Sequence, residues 1–460
     1  MPEDNQKIIY TLNQVPPWKD LLLLSFQQML LMFTAATFPA MLVREVGGTL
    51  EEASSMVALT MIAAGIGTII QASRNRWIGS GYLCPNVCGP SYLAVSMQAA
   101  WSGGFPLMRG MIIFAGLIEM LLARVINRVR FLFPPIVTGL TVTMVGVSVI
   151  PVAVTNFFGT RFAGDRFGWE DACVGAVTLA VMVAANIWGK RGIKMYCLLL
   201  GVAIGWLLAL RLQPDAIDNL GRIIHEPWAR FPLHSLRQLK LAFAPGLIVP
   251  FLIIAVCGSL KSFGNLIAAQ KISEPELKEM DMKPISKGLL ADGFTTAMAG
   301  TMGAMAVDTS SSNVGLAAAT QAVSRWIAIC SGIVFTLLGF SPKLSMGISF
   351  IPPPVVGASL IFAVSFMICT GLKEMTDAKF DQRKIFAVGI SLILGLGTGL
   401  VPGVFERMPH SLQVFFANPL SSTTILVIIL YQLFHLDELF AAQRERKLHR
   451  RDAESAEKEN

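Results

Sequence analysis

The stretch Phe133-Pro134-Pro135-Ile136-Val137 has a counterpart in Pro352-Pro353-Pro354-Val355-Val356, and in both a proline pair precedes an apolar run. Each run is long enough to cross a hydrocarbon core of about 30 Å as a helix. The matched positions are separated by one constant offset. The sequence therefore predicts a membrane chain built from two similar halves.

The same offset leads from Ser91 to Ser310, which lies in the polar run from Asp308 to Asn313. Both positions begin a short, interrupted apolar segment. Interrupted spans at equivalent places in an inverted repeat indicate a substrate site near the midplane, because half-helix N-termini present unpaired N–H groups there. We expect the site between Ser91 and Ser310; the alternative is a pair of ordinary packing helices rich in serine and glycine.

The composition excludes a soluble globular protein. Hydrophobic residues make up 53% of the 460 residues, charged residues make up 15%, and the mean hydropathy is +0.60. Apolar runs of about 17 to 25 residues recur along the chain and give about fourteen spans, seven in each half. Because each half has an odd number of spans, the second half is inverted across the membrane relative to the first. The first run, Leu21–Ala40, follows no cleavage motif and is expected to remain as a span.

The net charge of +7 is spread over short basic clusters between spans, which argues against nucleic-acid binding. Such clusters mark cytoplasmic loops, so we expect both termini on the cytoplasmic side of an inner membrane. The charged end of the chain, from Arg444 to Asn460, is expected to be a solvated helix extension or disordered, and the alternative is that it binds anionic lipid. The clusters are Arg74 with Arg76, Arg124 with Arg128 and Arg130, Lys190 with Arg191 and Lys194, and Arg383 with Lys384.

No motif for catalysis, metal binding or a cofactor is present in the sequence. The seven cysteines have no zinc or redox spacing, and the histidines fall near loops or ends. We expect neither an enzyme nor a bound cofactor or metal. The histidines are His225, His234, His410, His435 and His449.

Three stretches resemble the nucleobase–ascorbate transporter family of uracil, xanthine and urate permeases. The segment 312–321 is similar to the family signature through Asn313, Gly315 and Thr320. The segments 281–293 and 133–139 resemble the approach to the ninth span and the opening of the fifth.

The resemblance implies a fold, a mechanism and a cargo. The fold would be an all-α polytopic membrane protein of fourteen segments in a seven-plus-seven inverted repeat. Two short antiparallel strands would lie at half-helices three and ten, and a core domain would move against a gate domain like an elevator. The cargo would be a purine or pyrimidine base, moved by proton symport in a homodimer within the bilayer. The expected segments are 1–19 (cytoplasmic N-terminal segment), 20–126 and 246–340 (core), 133–210 and 354–436 (gate), and 437–460 (cytoplasmic tail).

The chain departs from the family at three positions associated with substrate. Gln27-Gln28 replaces the usual Gln-His, Lys261 stands where an acid is usual, and Ser312 begins the signature in place of Glu or Gln. The expected substrate-binding residues are Lys261, Ser312, Asn313, Gln27, Gln28, Tyr92 and Phe263. Asp308, Asp292, Thr320 and Gly315 are expected to couple protons or to hold the structure.

Lys261 should face a partner or a wet cavity, because an intramembrane lysine costs roughly 3 kcal/mol or more. Asp308 is the expected counter-charge. Three interpretations remain open: a Lys261–Asp308 pair that acts as a structural or proton-linked switch, a contact with an anionic base such as urate, or a lysine that snorkels to the interface.

Several other residues also carry two interpretations. Asp292 is expected either to cap the ninth helix or to relay protons, and Glu119 is a further acid near a span. Gln27 and Gln28 either face the cavity or link helices. Tyr92 and Phe263 either stack on a base or pack. Asn313 and Thr320 are expected mainly to hold helix geometry.

Two rival functions fit the same sequence. A small-anion carrier or exchanger of the same general fold is favoured by Lys261, and a membrane binding protein that has lost transport is favoured by the missing acid.

Overall fold

The computed structural model describes residues 8–129, 134–159, 168–189, 193, 197–212, 226–230, 240–277, 280–377, 381–401 and 419–436. The expected tail 437–460, Phe133, four of the histidines (all but His435) and several basic residues (Arg130, Lys190, Arg191 and Lys194) lie outside these ranges. The side chain of Arg128 is likewise not described.

The described part of the chain is mostly helical. Its first half contains α1 (Trp18–Ala35), α2 (Thr37–Glu45), α3 (Leu50–Ala72), β1 (Asn86–Cys88), α4 (Leu93–Val129), α5 (Pro135–Phe157), α6 (Trp169–Ile187) and α7 (Cys197–Leu212). Its second half contains α8 (Ile248–Ser273), α9 (Met282–Met302), β2 (Val307–Thr309), α10 (Ser311–Thr320), α11 (Arg325–Gly339), α12 (Pro342–Ser349), α13 (Pro353–Asp377), α14 (Gln382–Leu400) and α15 (Pro419–Phe434).

Apolar helices of spanning length recur along the chain, as the composition predicts for a multi-pass membrane protein. Within the described ranges, seven helices are long and apolar enough to cross a membrane. The pair Arg325–Gly339 and Pro342–Ser349, bent by 84°, would make eight if it is a single broken span. The fourteen-span inverted repeat and the core and gate boundaries remain predictions.

The chain forms two compact units. The first contains residues 1–126 and 146–366, and the second contains 127–145 and 367–460. In the second unit, Gly139 lies so close to Gly371 that an added Cβ would be 2.6 Å from the Gly371 carbonyl oxygen. The Thr138 hydroxyl donates to Glu374 at 2.6 Å. All further contacts described below belong to the first unit.

Helix α4 is interrupted near its start. Gly103 and Gly104 have non-helical backbone angles, and Gly104 has φ of 70°, which lies in the left-handed region that favours glycine. A short half-helix from Leu93 is therefore separated from the long segment that follows Pro106. The corresponding segment in the second half of the chain, α10, is only 10 residues long. Both interrupted segments follow directly after a strand.

The two strands pair in an antiparallel manner. Asn86 lies opposite Thr309, Val87 opposite Asp308, and Cys88 opposite Val307. The Gly89 N–H donates to the Ala306 carbonyl and the Ser310 N–H donates to the Pro85 carbonyl, both at 2.9 Å. These bonds satisfy backbone groups that lie outside helices within the apolar part of the fold.

The loop before β1 is fixed to the end of α8. The Tyr82 hydroxyl donates to Glu274 at 2.8 Å and accepts a hydrogen bond from Gln270 Nε2 at 2.9 Å. Burial raises the pKa of Tyr82 to about 12, so the hydroxyl keeps its proton at physiological pH.

Glycines bring α4 and α9 into direct backbone contact. A Cβ at Gly116 would lie 2.4 Å from the Ala297 nitrogen, and a Cβ at Gly293 would lie 2.6 Å from the Met120 nitrogen. Because these neighbours are backbone atoms, a side chain at either position would force the helices apart. The crossing therefore fixes the distance between α4 and α9.

We expect Gly116→Val to lower the unfolding temperature in detergent by several degrees, because overpacking costs about 1–3 kcal/mol. Intrinsic tryptophan fluorescence during heating measures the change. Gly389→Ala is the control, since a Cβ at Gly389 in α14 meets nothing within 4 Å. Equal unfolding temperatures for the two variants would contradict the close crossing.

Candidate functional site

The candidate site begins with an ion pair between α8 and β2. Lys261 lies halfway along α8, and its Nζ donates to Asp308 Oδ2 at 2.7 Å. The lysine side chain is 26% exposed whereas Asp308 is fully buried. Lys261 therefore meets the counter-charge that the sequence predicted, and its remaining exposure leaves the ammonium partly accessible.

Asp308 is held in place by the strand pair. It is the middle residue of β2, opposite Val87. A Cβ at Gly89 would lie 3.0 Å from the Asp308 carboxylate, so a side chain there would require the carboxylate to move by a few tenths of an ångström. Within the described residues, Asp308 Oδ1 is buried and has no hydrogen-bond partner. One carboxylate oxygen therefore bonds Lys261, and the other is a buried acceptor whose hydrogen-bonding capacity is unused by the residues that the structure describes.

A second buried acid joins three elements. Asp292 on α9 accepts from Asn86 Nδ2 of β1 at 3.0 Å and from the Ser262 hydroxyl of α8. The interpretation of Asp292 as a helix cap is wrong, because α9 begins ten residues earlier at Met282. The cap is Asp281, whose side chain accepts from the Lys283 N–H at 2.9 Å.

A chain of polar side chains connects this acid to the start of α10. The Thr309 hydroxyl donates to Ser262 at 2.8 Å, and Asn265 Nδ2 donates to Thr309 Oγ1 at 3.0 Å. Ser311 donates in turn to Asn265 Oδ1 at 2.8 Å. The network is continuous from Asp292 to the N-terminus of α10. A change in the hydrogen bonds of Asp292 can therefore alter the hydrogen bonds at the start of α10.

The third buried acid is Glu119 on α4. The Tyr92 hydroxyl donates to Glu119 Oε1 at 2.6 Å, and Tyr92 is fully buried. A Cβ at Gly258 would lie 3.0 Å from the same carboxylate oxygen, which brings Glu119 against α8 one turn before Lys261. Tyr92 therefore has a structural partner and packs inside the site wall.

The site carries three buried carboxyl groups, on Glu119, Asp292 and Asp308, whereas Lys261 is the ammonium that pairs with one of them. Isolated buried charges are costly, so the cluster needs protons or other cations to balance any further ionised carboxylate. It therefore offers a place where proton binding and ligand binding can depend on each other.

The signature segment is joined to α1 through amides. Asn313 Nδ2 donates to Gln28 Oε1 at 2.7 Å and to the Gln28 carbonyl at 2.9 Å. Gln28 therefore links helices. In the part of the chain that the structure describes, Gln27 Oε1 and Asn313 Oδ1 are buried acceptors without a partner.

The remaining predicted residues have different environments. Ser312 is exposed near the start of α10, and a Cβ at Gly315 would meet open space. Thr320 donates to the Leu316 carbonyl of its own helix at 2.9 Å. Phe263 belongs to a buried apolar cluster and packs there with residues such as Leu266.

Five residues of the network, Ser262, Asn265, Thr309, Ser311 and Asn86, were not predicted from the sequence. Asn265 could have been found because it lies four residues after Lys261, on the same helix face. Ser262 and Thr309 adjoin predicted residues, but nothing in the sequence distinguishes them from packing residues. Asn86 is brought to Asp292 by the fold alone.

Comparisons with known proteins agree with these motifs. A family model described as "Permease family" matches residues 19–404. The chain is 26% identical to the nucleobase transporter PlUacP of Paenibacillus larvae, over 90% of this chain and 94% of that protein. It is 27% identical to a xanthine permease of Bacillus subtilis, over 89% and 93%. It is also 27% identical to the uric acid permease PucJ of Bacillus subtilis, over 92% and 95%.

Solved structures show the same general fold at low sequence identity. The transmembrane domain of the cyanobacterial bicarbonate transporter BicA matches with a TM-score of 0.55 and 12% identity, over 92% of this chain and 100% of that one. The murine anion transporter Slc26a9 matches with a TM-score of 0.57 and 10% identity, over 92% and 69%.

We expect Asn313→Leu to destabilise the protein more than Gln28→Leu, because the Asn313 amide bonds the Gln28 carbonyl at 2.9 Å whereas the Gln28 amide bonds the Asn313 carbonyl at 3.4 Å. Each should cost about 1–2 kcal/mol, and the double variant should cost less than the sum. Thermal unfolding in detergent measures all three, with Gln27→Leu as the control. Additive effects would contradict a direct link between the two amides.

Proposed function

We propose, from the premise that the chain belongs to the nucleobase–ascorbate transporter family of permeases, that it is a secondary carrier of a purine or pyrimidine base. The relatives named above are a nucleobase transporter, a xanthine permease and a uric acid permease. Since these matches cover about nine-tenths of both chains, the proposal applies to the whole protein.

The observation that carries the proposal is the Lys261–Asp308 pair at the two interrupted helices. A base presents ring N–H groups and carbonyl oxygens on its edges, and both kinds need partners in a dry site. Lys261 offers an accessible donor, and Asp308 Oδ1 offers an acceptor without a partner in the described ranges. Substrate would lie against this pair and the start of α10, near Ser312 and Asn313.

The coupling ion is proposed to be a proton. Glu119 and Asp292 carry carboxyl groups that Lys261 does not neutralise, and Asp292 is bonded to both β1 and α8. A proton on Asp292 would weaken its hold on Asn86 and Ser262, so its arrival can change the shape of the strand pair. Because protonation of Asp292 would affect the strand pair beside the proposed base site, this arrangement favours symport of the base with a proton over simple diffusion of the base through the site.

The expected architecture completes the proposal. Fourteen spans in an inverted repeat would form a core domain (20–126 and 246–340) and a gate domain (133–210 and 354–436). The core would carry the base by an elevator movement, in a homodimer in the inner membrane with both termini cytoplasmic. The close crossing of α4 and α9 supports a core that moves as one body.

A second candidate function is transport of a small anion. The partly exposed side chain of Lys261 favours it, because a cation at the site suits an anionic cargo. Competition for uptake by uracil, xanthine and urate against sulfate and bicarbonate separates the two functions. A binding protein without transport would bind a base but accumulate none.

The first test measures uptake of radiolabelled xanthine, urate and uracil into cells that lack their own permeases. We expect saturable uptake by the wild type and at least about a tenfold loss in Lys261→Gln, which leaves Asp308 buried without its partner. Lys271→Gln, an exposed lysine on the same helix, is the control. Failure of the wild type to take up any base would overturn the assignment.

The double variant Lys261→Met, Asp308→Leu separates stability from transport. Replacing a buried pair by apolar side chains of similar size is often neutral for stability. We expect it to regain the wild-type unfolding temperature but not uptake. Restored uptake would make the pair purely structural.

The proton proposal is tested with Asp292→Asn. We expect it to exchange labelled for unlabelled base but not to accumulate base against a gradient, because the carboxyl that binds the proton is gone. Uptake and counterflow are measured with and without an uncoupler, and the exposed cap variant Asp281→Asn serves as the control. Uncoupler-sensitive accumulation by Asp292→Asn would rule out this residue as the coupling acid.

A further inference from the structure

An open pocket lies between α4 and α9, away from the ion pair. It is lined by Ala123, Arg124, Ser286, Lys287 and Leu290. Within the described residues, neither Arg124 nor Lys287 has a carboxylate within salt-bridge distance. Two cations beside a hydroxyl, with no acid to neutralise them, have the chemistry of a phosphate site.

The pocket lies at the end of a membrane span. The apolar run of α4 gives way at Arg124 to a polar stretch that includes Asn127, Arg128 and Arg130. Lys287 Nζ donates to the Asn75 carbonyl at 3.4 Å, which holds the adjoining loop beside the pocket. That loop carries Trp77, which is 74% exposed. An exposed tryptophan at a span end is typical of the membrane–water interface, where lipid headgroups lie.

Apolar side chains continue from the pocket along both helices. On α4, Leu117 and Leu121 are 53% and 57% exposed and share a helix face with Arg124, at spacings of four and three residues. On α9, Leu290 and Phe294 follow Lys287 on one face, and Phe294 is 41% exposed. Each helix therefore presents a cation at one end of an apolar stripe, which is exposed at Leu117 and Leu121 on α4 and at Phe294 on α9.

We propose that this pocket binds the headgroup phosphate of an anionic phospholipid, whose acyl chains lie along the two apolar stripes. Basic pockets between membrane helices recognise such headgroups. A free phosphate would use Arg124 and Lys287 but would have no use for the stripes. The site is separate from the proposed base site, and its occupancy is measured without transport.

The test uses the purified full-length chain in detergent, titrated with phosphatidylglycerol or with phosphatidylcholine of the same acyl chains. Native mass spectrometry counts bound lipid, and thermal unfolding reports stabilisation. The variant is Arg124→Gln with Lys287→Gln. The control is Arg230→Gln with Lys343→Gln, which removes the same charge from residues that pair with Glu226 and with the ring of Trp228.

We expect the wild type and the control to prefer phosphatidylglycerol, and the pocket variant to bind it about 10- to 30-fold more weakly, since each cation near a headgroup is worth about fivefold. Equal binding of the two lipids by the wild type, or unchanged binding in the pocket variant, would overturn the proposal. Displacement of the lipid by equimolar inorganic phosphate or glycerol phosphate would also overturn it and identify a free-phosphate site.

Discussion

The fold around the site depends on a constraint of the bilayer, which gives no hydrogen-bond partners to backbone that leaves a helix. At two places the chain becomes extended between helices. There β1 and β2 satisfy each other's backbone N–H and carbonyl groups by pairing. Neither strand is long enough to be stable alone. Their pairing sets the positions of Asp308 and Asn86, and these two side chains reach Lys261 and Asp292 respectively. The strand pair is thus the frame on which the polar site is built.

The acids of the polar network lower stability by being buried, and they also form the hydrogen bonds of the site. Buried acids are destabilising unless they are bonded, and here each acid has at least one donor: Lys261 for Asp308, Asn86 and Ser262 for Asp292, and Tyr92 for Glu119. Oxygen atoms such as Asp308 Oδ1 remain without a partner in the described part of the chain. A fold that only needed stability would gain from apolar residues at these places. The retained charges therefore have a cost in stability that the fold alone does not explain.

Much of this arrangement follows from the sequence, for identifiable reasons. The matched prolines predict where the halves correspond, and the positions they mark, Ser91 and Ser310, come just after the two strands. The cost of a lysine in a span predicts an acidic partner, and Asp308 is that partner. The link between Asn86 and Asp292 could not be predicted, because it depends on how a strand and a helix far apart in sequence are brought together. The cap interpretation of Asp292 failed because α9 begins in a polar stretch before the apolar run, where the Asp281 side chain accepts a hydrogen bond from the Lys283 N–H.

The glycine crossing of α4 and α9 also brings two buried acids to the same contact. Glu119 lies three residues after Gly116, and Asp292 directly precedes Gly293, so the two acids lie at the contact where the helix backbones touch. Like charges held at a short, fixed separation titrate with negative cooperativity, since the first proton removes part of the drive to bind the second. The two carboxyl groups would then titrate over a broad span of acidity rather than within a narrow threshold. Gly116 and Gly293 thereby set the range of acidity over which Glu119 and Asp292 would titrate.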